Sequence, residues 1–70
     1  MKTIKTLQQI ADELTQEARA LAPEHGDAVE VRAFGTTLAL WHGDAAWGLP
    51  TDEPAARASM TKIIQQNPQF

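Results

Sequence analysis

Two glycine-led turns, eight residues apart, constrain the fold of this 70-residue chain more than any other feature of its sequence. Gly35-Thr36 and Gly43-Asp44 each separate stretches in which apolar and polar residues alternate. A two-residue loop that begins with glycine is typical of a β-hairpin, and alternation is typical of a strand with one buried face. The sequence therefore predicts an antiparallel meander with strands over residues 28–34, 37–42 and 45–49.

The register of this meander can be tested against its own hydrophobic pattern. The first turn places Val31 opposite Leu40, and the second places Leu40 opposite Trp47. The residues that then share one face are Val29, Val31, Ala33, Leu38, Leu40, Trp47 and Leu49. A slip of one residue would move a strand's side chains to the opposite face, so two independent turns support the same register.

A helix is predicted before the meander, over residues 3–22. Its apolar residues recur mainly at alternating steps of three and four, as on one face of a helix: Ile4, Leu7, Ile10, Ala11, Leu14, Ala18 and Leu21. Thr3 or Thr6 can cap its start, and Gln9 would complete a capping box with Thr6. Pro23 ends the helix, because proline disfavours helical geometry in the residue before it.

A second helix is predicted after the meander, over residues 52–66. Thr51 or Asp52 is the expected N-cap, and its apolar stripe consists of Ala56, Met60, Ile63 and Ile64. Residues 1–70 are thus expected to form one α+β domain of order α-β-β-β-α, with both helices on the apolar face of the sheet. A chain this short has a thin core, and without cysteine it has no disulfide to support it.

The charge distribution argues against two classes of partner. The net charge is −3, and the whole excess lies between residues 23 and 50, where Arg32 alone opposes four carboxylates. Such a chain is poorly suited to nonspecific nucleic-acid binding, which depends on Lys and Arg contacts to phosphate, or to an anionic membrane surface. No apolar run approaches the length of a membrane span. A cytoplasmic protein is expected, in agreement with the lack of cysteine.

No catalytic, metal or cofactor site is expected. Ser59 lies within a predicted helix, outside any nucleophile-elbow motif, and no phosphate-binding glycine loop occurs. His42 with Asp44, and His25 with Asp27, are the local pairs of potential metal ligands. A structural zinc site needs about four ligands, so His42 is interpreted as a hydrogen-bonded histidine at the rim of the core and His25 as part of a solvated turn.

The outer face of the predicted sheet differs from an ordinary solvated face. Trp41 and Phe34 stand there among small residues, and Arg32 lies diagonal to Trp41, where it can stack on the ring. Tryptophan and arginine are enriched among the residues that dominate protein interfaces. Trp41, Phe34, Arg32 and Glu30 are therefore predicted to bind a partner protein, and the alternative is that a chain terminus, for example Phe70, covers Trp41.

A second candidate site is acidic. Glu24, Asp27 and Asp44 are expected to gather at one end of the sheet, because the first strand begins where the second ends. Such a patch can attract a basic partner and accelerate association, and the alternative is a solvated loop edge.

The order of elements and the chain length resemble the double-stranded-RNA-binding domain. That family holds phosphates with a lysine-rich stretch at the start of its last helix. The corresponding stretch here, Thr51–Arg57, is acidic before it is basic. The resemblance therefore extends to topology, and RNA binding is not carried over.

These observations predict a non-enzymatic protein-binding module that acts by occluding a protein surface and that self-associates through the outer face or a sheet edge. Compact, acidic, cysteine-free single domains are the kind of protein with which phages and mobile elements inhibit host machinery, anti-CRISPR proteins among them. By that analogy, which rests on no motif, a viral inhibitor acting in the host cytoplasm is expected. The alternatives are a small nucleic-acid-binding or transcriptional regulator and an accessory subunit of a larger enzyme.

Overall fold

Two α-helices flank three antiparallel strands in the computed structural model, which describes residues 5–68 and 70. The elements follow in the order α1 (Leu7–Leu21), a 3-10 segment (Pro23–Ala28), β1 (Val29–Phe34), β2 (Thr37–His42), β3 (Ala45–Leu49) and α2 (Glu53–Gln66). The strands form one sheet in the order β1-β2-β3. The predicted α+β fold, an α-β-β-β-α chain with an antiparallel meander, is confirmed.

The register of the sheet is the predicted one. Val31 pairs with Leu40, and Leu40 pairs with Trp47 on its other side. Gly35 and Gly43 open the two turns with φ values of 58° and 61°. This left-handed conformation is costly for residues with a Cβ atom, which explains why glycine stands first in each turn.

Both helices cover the same face of the sheet, here called the inner face. Leu40 is 0% exposed at its centre. The buried core joins helix and strand residues in one cluster: Ile10, Ala11, Leu14, Ala18, Val29, Val31, Leu38, Leu40, Leu49, Ala56 and Met60. Ala33 and Trp47, predicted for this face, pack against the cluster and are half-buried.

Helix α1 begins later than predicted, because Thr6 is its N-cap. The Thr6 hydroxyl accepts from the Gln9 backbone N–H, and the Gln9 side chain accepts from the Thr6 N–H, which completes the predicted capping box. Thr3 and Ile4 lie outside the described residues. At the other end, Leu21 is 43% exposed and leaves the core, where Ala22 is buried instead. The predicted stripe was wrong at Leu21 because the chain turns into the 3-10 segment directly after it.

Helix α2 starts one residue later than predicted, and Asp52 is its N-cap, with its carboxylate accepting from the Ala55 N–H at 3.3 Å. Ala56 and Met60 are buried, whereas Ile63 and Ile64 are half-buried. The first strand likewise starts at Val29, since Ala28 belongs to the 3-10 segment. Within the described part of the chain, no helix has the length and apolar character needed to cross a membrane.

A network of ion pairs joins the two helices. Arg57 contacts Glu17 through two hydrogen bonds, of 2.7 and 2.8 Å, and Glu53 through a third. Lys5 lies 2.8 Å from Glu13 and 3.1 Å from Glu53. The hydrogen bonds from Arg57 and Lys5 lower the pKa of Glu17 and Glu53, respectively. The network links α2 to α1, and because its side chains are partly solvent-exposed it adds modestly to the stability of the layer that covers the inner face.

Candidate functional site

The outer face of the sheet carries no helix. Glu30, Trp41 and Ala39 are half-buried there, and Arg32 and Phe34 are exposed. Phe34 is 58% exposed, the largest exposed fraction among the large apolar residues that the structure describes. The period of two along each strand explains this placement. Leu40 and His42, which flank Trp41 in the chain, point to the inner face, so Trp41 points to the outer face.

An arginine stacks on the tryptophan at the centre of this face. The guanidinium carbon of Arg32 lies 4.8 Å from the centroid of the Trp41 ring, within the range of a cation–π contact. The Nε of Arg32 also donates to the Glu30 carboxylate at 3.0 Å. The sequence predicted that Arg32 can stack on Trp41, but not that Glu30 would orient the arginine.

The indole N–H of Trp41 is unusual. Its Nε1 atom is buried, and no described residue accepts a hydrogen bond from it. A buried donor without an acceptor costs about 1–3 kcal/mol, and such groups are few in native proteins. An acceptor from outside the chain would relieve this cost if the side chains around the indole moved aside.

Phe70 does not cover Trp41. Its ring lies on the inner side of the sheet, 4.6 Å from the His42 ring and 5.6 Å from the Trp47 ring, measured between centroids. The His25 ring completes the cluster, at 4.3 Å from His42 and 5.4 Å from Phe70. The alternative in which Phe70 shields the outer face is therefore wrong: the ring instead packs with the two histidines and Trp47.

Glu24 and Asp27 lie in the 3-10 segment and Asp44 lies in the second turn, at one end of the sheet. The Gly43 N–H donates to the Ala28 carbonyl at 3.0 Å, which joins the second turn to the end of the 3-10 segment. Glu24, Asp27 and Asp44 are exposed at this end. Glu24 lies 3.7 Å from the His25 imidazole, and neither aspartate forms an ion pair with another described residue.

The remaining polar side chains form no recognisable catalytic arrangement among the described residues. Ser59 is half-buried within α2, and the rings of His25 and His42 pack against each other. In residues 5–68 and 70, no group of three histidine, cysteine or carboxylate side chains is placed to hold a metal ion. The distinctive chemistry of the described surface is therefore that of the outer face.

No protein family, no curated protein and no solved structure matches this chain. The outer face and the acidic end therefore provide the basis for inferring a function.

Proposed function

We propose that this chain is a non-enzymatic protein-binding module that occludes the surface of a partner protein with the outer face of its sheet. One observation carries the proposal: Trp41, Arg32 and Phe34 share a sheet face that neither helix covers. Tryptophan and arginine dominate the binding energy of many interfaces, and Phe34 adds an exposed large apolar side chain to the same face.

The geometry of the Trp41 side chain fits the role of an interface anchor. Arg32 and Glu30 hold each other above and beside the ring, so little side-chain entropy remains to be lost when a partner binds. The Nε1–H of Trp41 is buried and has no acceptor among the described residues, and it would donate to a carbonyl or carboxylate of the partner once the side chains around the indole move aside. The small neighbours Ala39 and Ala46 leave space for a partner to approach the ring.

The partner that we propose is a component of host defence or host machinery, and the chain is an inhibitor of the kind that phages and mobile elements encode, comparable to anti-CRISPR proteins. The support is the small size, the acidic charge and the lack of cysteine. Occlusion needs no catalytic residue, so inhibition is expected to require one copy of the chain per binding site.

The proposal is tested by comparing affinity capture by the wild type with capture by Trp41→Ala and Phe34→Ala, using bacterial lysate and quantitative mass spectrometry. Leu21→Ala is the matched control, because Leu21 is also an exposed apolar side chain but lies at the end of α1. We expect one protein to be retained by the wild type and by Leu21→Ala and lost from both outer-face variants.

The captured protein is then purified, and its activity is titrated with the wild-type chain. Stoichiometric inhibition that Trp41→Ala fails to reproduce supports occlusion through the outer face. Equal capture by all four proteins would contradict the assignment of this face.

A further inference from the structure

The two edges of the sheet present different sets of backbone groups. The Gly43 N–H bonds to Ala28, and pairing alternates along an antiparallel ladder. Even-numbered residues of β1 therefore bond to β2, and Val29, Val31 and Ala33 direct their N–H and C=O groups to the outer edge. By the same alternation, Ala45, Trp47 and Leu49 of β3 bond to β2, so that Ala46 and Gly48 point away from the sheet.

The β1 edge is closed by side chains of α1. The Thr15 hydroxyl accepts from the Val31 N–H at 2.9 Å, and its oxygen lies 3.1 Å from the Val31 carbonyl and 2.8 Å from that of Ala11. The Nε of Arg19 donates to the Val29 carbonyl at 2.9 Å. A helix that covers an edge in this way prevents another strand from pairing with it.

The β3 edge has no such protection. Ala46 and Gly48 are exposed, and no described side chain bonds to their backbone groups. The strand, Ala45-Ala46-Trp47-Gly48-Leu49, contains neither a charge nor a proline. Charges, prolines, covering elements and short strands are the usual means by which proteins prevent edge pairing. Within the described residues, β3 is short but has none of the other three.

We infer that β3 pairs in an antiparallel manner with β3 of a second copy, about a two-fold axis at Trp47. Ala46 of each copy then lies opposite Gly48 of the other, and the two N–H and two C=O groups of each edge bond to those of the second copy. The inference goes beyond the proposed function, because it concerns an edge and not the outer face.

A second copy fits this edge because the strand is complementary to itself. Under the same symmetry Asp44 lies opposite Pro50, so no like charges meet along the strand. The side chain of Trp47, half-buried in one copy, meets its counterpart in a pair without hydrogen bonds, where side chains approach closely. Such a two-fold contact also closes on itself and limits the assembly to a dimer.

The test is amide hydrogen exchange by NMR on the full chain over a concentration series, together with sedimentation equilibrium. We expect the mass to approach that of two chains and the exchange of the Ala46 and Gly48 amides to slow by at least about tenfold at high concentration. Ala33 is the internal control, because its amide faces the β1 edge and its exchange is expected to stay constant. A single-chain mass at every concentration overturns the inference.

Two substitutions at one position separate the loss of an edge N–H from the addition of a larger side chain. Ala46→Pro removes an outward N–H and leaves the ladder with β2 intact, whereas Ala46→Val adds a larger side chain and keeps the N–H. We expect Ala46→Pro to weaken dimerisation by at least about tenfold and Ala46→Val to remain dimeric. Equal weakening by both variants, or dissociation by Trp41→Ala alone, overturns the edge assignment. Partner capture by Phe34→Ala, whose side chain lies away from the β3 edge, reports separately on the proposed function.

Discussion

The two faces of the sheet show that position, rather than hydrophobicity, decides which side chains are buried. Leu40 on the inner face is 0% exposed, whereas Phe34, a larger apolar residue on the outer face, is 58% exposed. Each strand supplies side chains to both faces, but both helices pack on one. An apolar residue placed on the uncovered face adds little to folding stability, which makes such residues candidates for binding.

The largest expected effect is on the inner face. Leu40→Ala should lower the free energy of unfolding by about 2–5 kcal/mol, because a cavity forms between the sheet and the helices. Phe34→Ala removes a larger side chain and should cost less than about 1 kcal/mol. Urea denaturation of both variants checks the comparison. Equal costs would mean that the two faces do not differ in the way described.

The two tryptophans provide the next test. Trp47→Ala should cost about 2–3 kcal/mol, since Trp47 packs against the core and near the Phe70 ring, although it is only half-buried. Trp41→Ala should change stability by less than about 1 kcal/mol, because lost packing is offset by removal of an unpaired buried N–H. Thermal unfolding distinguishes them, and a larger loss for Trp41→Ala would show that the faces are reversed.

A smaller effect is expected at the β1 edge of the sheet, which side chains of α1 close. Thr15→Val keeps the shape of the side chain but removes the acceptor for the Val31 N–H, which should cost about 1–3 kcal/mol. Thr61→Val is the matched control, since Thr61 is also a half-buried helix threonine and forms no hydrogen bond through its side chain within the described residues. If Thr15→Val and Thr61→Val shift the denaturation midpoint equally, the hydrogen bond between Thr15 and Val31 does not contribute specially to stability.

Acid should weaken the helix layer that makes the faces different. Ion pairing lowers the pKa of Glu17 and Glu53 in the folded state, so their stabilisation is present above the unfolded-state pKa and is lost as the pH falls through the folded-state value. The melting temperature should therefore decrease when the pH is lowered below about 4–5. Glu17→Gln should reduce the pH-dependent part of the free energy of unfolding by less than about 1 kcal/mol, because the Glu17–Arg57 pair is solvent-exposed. A pH profile identical to that of the wild type would contradict this expectation.

The last expected effect is on the rate of association and not on stability, and it concerns the acidic end. If it attracts a basic partner, combining Asp27→Lys with Asp44→Lys should slow association by about tenfold at low salt and weaken the salt dependence. Asp12→Lys on α1 is the control for a charge change elsewhere. Stopped-flow association rates test this, and rates equal to those of the wild type would identify the acidic end as a solvated loop edge.

The sheet was predictable from sequence because its determinants are local. Gly35 and Gly43 fix the turns, and the alternation around Leu40 fixes the faces, so the outer position of Trp41 followed directly. The end of α1 was predicted to within one residue, but the exposure of Leu21, where the chain continues as a 3-10 segment, was not predicted. That segment has a glycine with positive φ inside it, and no periodic pattern indicates such a turn.

Contacts between distant residues were not predictable. The pairing of Arg57 with Glu17 spans forty positions and depends on how the helices align, which periodicity does not determine. Thr15 resembles any polar residue within a helix until its distance to β1 is known. The orientation of Arg32 by Glu30 required the rotamers of both side chains. The candidate binding face was therefore predictable as a surface, but its internal geometry was not.

The hydroxyl of Thr15 has a consequence for the size of any assembly that the chain forms. In the paired form inferred above, the six-stranded sheet ends on both sides at β1, where one threonine takes the place of the next strand. An assembly that ends in closed edges is finite, whereas one with open edges can add subunits indefinitely. Thr15, together with Arg19 at the Val29 carbonyl, therefore ends the sheet on each side of the paired form.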